Sequence, residues 1–125
     1  MKKVISTQKA PKAIGPYSQA ILSGNTLYCS GQIAINPETG ELVLSSISEE
    51  THQVMRNILE VLKASEMHFS NVVKCSIFMK DMGQYSEIND VYASYFSENP
   101  PAREAVEVSV LPKNVNVEIS VIAVK

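Results

Sequence analysis

Hydrophobic positions along this chain follow two periods, and the switches between them mark out its elements. Val54, Met55, Ile58, Val61 and Leu62 recur at helical spacing, with Arg56, Asn57, Glu60 and Lys63 opposite them. Ser48, Glu49 and Glu50 supply an N-terminus for that pattern, so a helix is predicted from Ser48 to Ser65. A second stripe, Tyr85, Ile88, Tyr92, Tyr95 and Phe96, predicts another helix after Asp81-Met82-Gly83. Aromatic stripes at that spacing are usually core, and Asn89 beside this one is placed to face a pocket. Other apolar runs read as strands: Lys3 to Thr7, Ala20 to Ser23, Thr26 to Cys29 and Val72 to Met79, with Gly24-Asn25 as a hairpin turn between the second and third. The last third holds two more, Glu104 to Leu111 and Val115 to Val124. Joined through Pro112-Lys113-Asn114, they are predicted to form an antiparallel hairpin.

This order of elements fits an α+β fold, one domain over residues 1–125 with a mixed β-sheet and both helices on one face. The last strand is apolar on both sides of its pleat, Val117, Ile119 and Val121 against Ile122 and Val124. Strands of that kind need cover on both faces. With no further helix to supply it, a homo-oligomer is expected.

Composition narrows the function classes. Hydrophobic residues make up 45% and charged residues 19% of 125, which is ordinary for a folded soluble domain and excludes disorder. The net charge of −2 gives no electrostatic footprint for nucleic acid, and Lys2, Lys3, Lys9 and Lys12 read as a solvated tail. Met1-Lys2-Lys3 is followed by polar residues and Pro11 where a signal peptide needs an apolar run, and no stretch is apolar enough to span a membrane. A cytoplasmic protein is expected. Cys29 and Cys75 lie in strand-like runs and read as reduced core residues without a disulfide. His52 and His68 have no Cys, Asp or Glu at zinc-site spacing, so no metal is expected.

Chemistry concentrates between Pro100 and Glu118. Pro100-Pro101-Ala102 restricts the backbone ahead of Arg103, and a fixed guanidinium can hold a carboxylate through two parallel hydrogen bonds. Glu118 lies between Asn116 and Ser120 on the polar side of the last strand, as either a catalytic carboxylate or part of a solvated face. Upstream, Gly15-Pro16 forces an irregular path that presents the Tyr17 hydroxyl. Gly31, at the end of a strand, either lets a ligand approach the backbone or forms a bulge. A simple hairpin would set Arg103 ~20 Å beyond Glu118. Either Arg103 leaves that register or the site is completed across a subunit boundary, the arrangement favoured here.

Four separated motifs in order then carry a family resemblance: Ile14-Gly15-Pro16-Tyr17-Ser18-Gln19-Ala20, Ser30-Gly31-Gln32, Asn89 to Phe96, and Pro101-Ala102-Arg103 with Val117-Glu118-Ile119. Together they resemble the reactive intermediate deaminase family, the RidA or YjgF-like proteins, over almost the whole chain. The resemblance implies a fold similar to trimeric bacterial chorismate mutase, a homotrimer with sites between subunits, and hydrolysis of 2-imino acids such as 2-iminobutanoate and 2-iminopropanoate without a cofactor. It implies Arg103 as the carboxylate-binding residue, Glu118 as the residue that orients water and relays a proton, and Tyr17, Ser30 and Gly31 as pocket residues. Ala105 stands at the pocket position where many relatives carry a cysteine, so no thiol is expected in the mechanism. Glu104 replaces a small residue, and a carboxylate beside Arg103 bears on its grip on an anionic substrate. Two alternatives of other classes are an endoribonuclease and a non-catalytic holdase or small-ligand binding protein.

Overall fold

The most apolar strand takes the centre of the sheet. A computed structural model describes residues 1–125 as strands β1 (Lys2–Ile5), β2 (Ala20–Ser23), β3 (Thr26–Gln32), β4 (Val72–Met79), β5 (Ala102–Glu107) and β6 (Val117–Val124), with helices α1 (Ile47–Ala64) and α2 (Tyr85–Ala93). The six strands form one mixed sheet in the order β1-β2-β3-β6-β4-β5. β6 runs antiparallel to both neighbours, and β5 runs parallel to β4 at the edge.

The expected hairpin of the last two strands does not form. β4, α2 and β5 make a crossover unit that leaves β5 parallel to β4, so β5 cannot also receive an antiparallel β6 by a short turn. Pro112–Asn114 is instead a short 3-10 turn in a longer connection, with Lys113 and Asn114 both at positive φ. That connection carries the chain to the far side of β4, where β6 pairs on both edges. Central placement suits its sequence: Val117, Ile119, Val121 and Ala123 are buried under the helices. Truncating the fully buried Ile119 to alanine would cost about 2–5 kcal/mol.

α1 begins slightly before the predicted start, because Ser46 is its N-cap and accepts from the Glu49 N–H at 3.0 Å. Its apolar stripe packs on the sheet as the spacing predicts. Asn57, placed on the solvent side by its spacing, is buried, as are Gln53 and Glu50. Cys29 and Cys75 are free and buried, both in register with Val121 of the strand between them. Two strand spacings separate them, ~10 Å, which is beyond disulfide reach.

The opposite sheet face carries no helix. Val4, Tyr28, Val106 and Val124 are exposed there, and Ile122 is half-buried. Lys74, Ser76, Glu104, Ser120 and Glu118 share this face through the strand registers.

Candidate active site

Glu118 projects from β6 onto this open face, at the wall of a cavity of about 470 Å³. Three other segments complete the cavity: Pro11 to Tyr17, the end of β3 through Ile35, and the Pro112-Lys113 turn. Gly31 is both of the things its sequence allows. It lies where the β3–β6 register shifts, a bulge, and it lines the cavity. The Glu118 side chain folds over it, so that a Cβ at position 31 would lie 2.8 Å from the Glu118 Cδ. Burial pushes the Glu118 carboxyl above its ordinary range.

Buried polar groups hold the walls. Gln19 donates to the carbonyls of Pro11 at 2.8 Å and Thr7 at 3.1 Å, and accepts from the Thr7 N–H at 2.7 Å, fastening the segment that carries Lys12 and Tyr17. The Ser30 hydroxyl donates to the Ser18 carbonyl at 2.6 Å. Asn57 donates to the carbonyls of Ile33 at 3.1 Å and Ile35 at 2.9 Å. The Glu50 carboxylate accepts from the Asn116 backbone at 2.8 Å and side chain at 2.7 Å, fixing the start of the strand that carries Glu118. Sequence reasoning missed Gln19, Asn57 and Glu50, because helical spacing and turn motifs report neighbours in sequence and these bonds span up to 66 positions.

Arg103 sits elsewhere. It pairs with Cys75 in the β4–β5 register, which puts it on the helix-covered face. There its Nη1 donates to Asn89 Oδ1 at 2.7 Å and its Nη2 to the Tyr85 hydroxyl at 2.6 Å. The guanidinium also lies 5.0 Å from the Tyr92 ring centroid and 5.6 Å from that of Tyr85. Asn89 thus holds Arg103, and both line a second cavity of about 430 Å³ with Phe96, Pro100 and Pro101. Ala105 is on the same face and packs against the core, but it lines neither cavity. Glu104 alternates to the open face, where Lys74 at 2.7 Å and the Ser76 hydroxyl engage it and hold its carboxyl below its usual range. It therefore does not compete for Arg103. The two thiols are pushed up by burial, Cys29 to about 12.

The structure thus gathers Tyr17, Ser30, Gly31 and Glu118 around one cavity, and Arg103 with Asn89 around another. Arg103 is level with Cys75 of β4, and Glu118 with Phe78. Three residues of strand rise, ~10 Å, and two strand spacings, also ~10 Å, separate them. They also point to opposite faces of the sheet.

The model of the family described as Endoribonuclease L-PSP matches residues 7–125. A RutC family protein of Pyrococcus horikoshii is 52% identical over 125 residues, covering 100% of this chain and 99% of that protein. A Bos taurus protein named 2-iminobutanoate/2-iminopropanoate deaminase is 49% identical over 125 residues, covering 100% of this chain and 91% of its own length. Among solved structures, a protein of the conserved Rid family from Yersinia pestis superposes with a TM-score of 0.97 at 50% identity, with 100% of each chain covered. The whole domain, from the first cavity wall to the end of β6, is shared with these proteins, and the chain belongs to the endoribonuclease L-PSP family, that of RidA and YjgF.

Proposed function

We infer that this protein hydrolyses 2-imino acids, 2-iminobutanoate and 2-iminopropanoate among them, to 2-oxo acids and ammonia. The observation that carries the reading is the Glu118 carboxyl, half-buried over Gly31 in a cavity, with no hydrogen-bond partner of its own. A carboxyl whose proton affinity is raised by burial is suited to take and return a proton. The name of the 49% identical Bos taurus relative supports the substrate class.

The chemistry needs one water. Its oxygen attacks the imine carbon while the C=N electron pair moves to nitrogen, and Glu118 accepts the proton released. Glu118 then delivers that proton to the nitrogen of the resulting carbinolamine. Glu118 then relays the hydroxyl proton to the same nitrogen as the carbonyl forms and the C–N bond breaks, so that both protons of the water leave on ammonia. Arg103 holds the substrate carboxylate through two N–H groups. Because Arg103 and Glu118 face opposite sides of one sheet, the Arg103 that serves a given Glu118 comes from a second copy. The exposed Val4, Tyr28 and Val106 on the open face support an assembly through that face, which we take to be a trimer with sites between subunits.

The test generates 2-iminobutanoate with an amino acid oxidase and follows ammonia release with and without the protein. Acceleration above the spontaneous rate is expected. Binding of amino acids or 2-oxo acids without acceleration would leave a binding protein in its place.

A further inference from the structure

We propose that Tyr85 is a positioning residue for substrate binding: its hydroxyl, with the Asn89 side chain, sets the guanidinium of Arg103 so that one edge stays open for a carboxylate. The proposal rests on the reading of Arg103 as the substrate anchor. Tyr85, Asn89 and Tyr92 recur at i, i+4 and i+7 along α2, so all three address one point on the sheet. That point is Arg103. The Tyr85 oxygen accepts from Nη2 at 2.6 Å, Asn89 Oδ1 accepts from Nη1 at 2.7 Å, and the Tyr92 ring lies against the guanidinium at 5.0 Å.

Every one of these acceptors is neutral. A carboxylate in their place would orient the guanidinium equally well and cancel its charge, leaving little attraction for an anionic ligand. Neutral oxygens fix the plane and keep the charge available. An arginine offers five N–H donors in a rigid fork. Asn89 and Tyr85 take one each, and the three that remain suffice for a two-point contact with a carboxylate. A free arginine side chain would lose rotamer freedom on gripping a ligand, a loss the cradle has already taken. Tyr85 therefore acts on ligand affinity through Arg103. It touches neither the Glu118 cavity nor the bond that breaks.

Tyr85→Phe tests this, since it keeps the ring against Arg103 and removes only the hydroxyl. Wild type, Tyr85→Phe, Asn89→Ala and Arg103→Lys are compared in imine hydrolysis, in calorimetric binding of 2-oxobutanoate, and in thermal melting. The expected result for Tyr85→Phe is a roughly tenfold rise in both KM and the 2-oxobutanoate Kd, the scale of one hydrogen bond to a charged group, with kcat within twofold. Asn89→Ala should shift the same two constants in the same direction. A lower melting temperature with KM and Kd unchanged would make Tyr85 a structural staple and overturn the proposal. So would a fall in kcat at constant KM, which would place the hydroxyl in proton transfer. Should wild type bind 2-oxobutanoate through Arg103 yet accelerate no imine hydrolysis, the deaminase reading fails and Tyr85 is still judged by Kd. A wild type that binds no 2-oxobutanoate overturns the proposal. If Asn89→Ala does not fold, Tyr85→Phe decides alone.

Discussion

Arg103 and Glu118 are held by opposite means. Arg103 stands on an edge strand, under α2, and all of its fixed contacts come from residues 85 to 92 of that one helix. Glu118 stands on the central strand, on the face without helices, and its own carboxyl is left without a partner while its surroundings are bolted down by Gln19, Asn57 and Glu50. The cation is oriented by direct bonds to neutral groups and keeps its charge. The carboxylate is made more basic by partial burial. Were both on one face at hydrogen-bond distance, they would pair, the carboxyl would fall in pKa, and the guanidinium would be spent. The intervening sheet prevents that pairing within a chain, and on the proposed reading the two meet through substrate and a second copy.

Removing the carboxylate should break this comparison most severely. Glu118→Gln keeps the shape and can still hydrogen-bond a water, but it cannot take a proton, and kcat should fall ~10²–10⁴-fold. Ammonia release under saturating imine checks it, and wild-type turnover would place Glu118 outside the site. Arg103→Lys keeps the charge and loses the fork. Its kcat/KM should fall ~10–100-fold, on the scale of one or two charge-assisted hydrogen bonds. Near-normal kinetics would mean that a point charge suffices.

Combining the two variants asks whether the halves come from different copies. Neither homogeneous variant has an intact site. If sites lie between subunits, unfolding and refolding an equal mixture should restore about a quarter of wild-type activity, because random assembly pairs an intact Arg103 with an intact Glu118 at that frequency. A site contained in one chain would regain nothing.

Much of this arrangement was legible in sequence because it is local. The apolar stripe of α1, the hairpin at Gly24-Asn25 and the alternation of β6 depend on near neighbours, and they formed close to where periodicity put them. The pairing of the last two strands was not legible, because two adjacent strand-like runs say nothing about whether a third lies between them. β4 does, which also changes the relation of Arg103 to Glu118. Tyr85 and Asn57 illustrate a second limit. A tyrosine in an aromatic stripe and an asparagine opposite an apolar one are read by side-chain class, yet the Tyr85 hydroxyl and the Asn57 amide bond groups that only the fold brings near.

A milder perturbation separates the wall of the Glu118 cavity from Glu118 itself. In Gly31→Ala the new Cβ would meet the carboxyl, the mobile end of a side chain, so that end shifts and the strand need not. Turnover should fall about tenfold, less than the ~10² that a 1 Å misplacement can cost, with melting nearly unchanged. A large loss of stability instead would show that Gly31 is kept for its bulge.

The smallest effect is on stability, and it runs against activity. Glu118 has its carboxyl raised in the folded protein by burial, so ionising it costs more there than in the unfolded chain, which solvates the charge better. The folded protein binds this proton at higher pH than the unfolded chain does, and the penalty is therefore complete above the folded pKa. It shrinks as pH falls through that value and is gone below the ordinary carboxylate pKa. Glu118→Gln should accordingly melt slightly above wild type at pH 7, and the two curves should converge as the buffer is taken toward pH 4. Glu104 supplies the opposite control. Lys74 and Ser76 hold its carboxyl low, so whatever it contributes is present at neutral pH and is lost on acidification, and Glu104→Gln should not melt above wild type at pH 7. A Glu118→Gln protein that melted lower than wild type at pH 7 would mean that the carboxylate holds the fold together, and the account of it as an unsatisfied, chemically poised group would have to be given up.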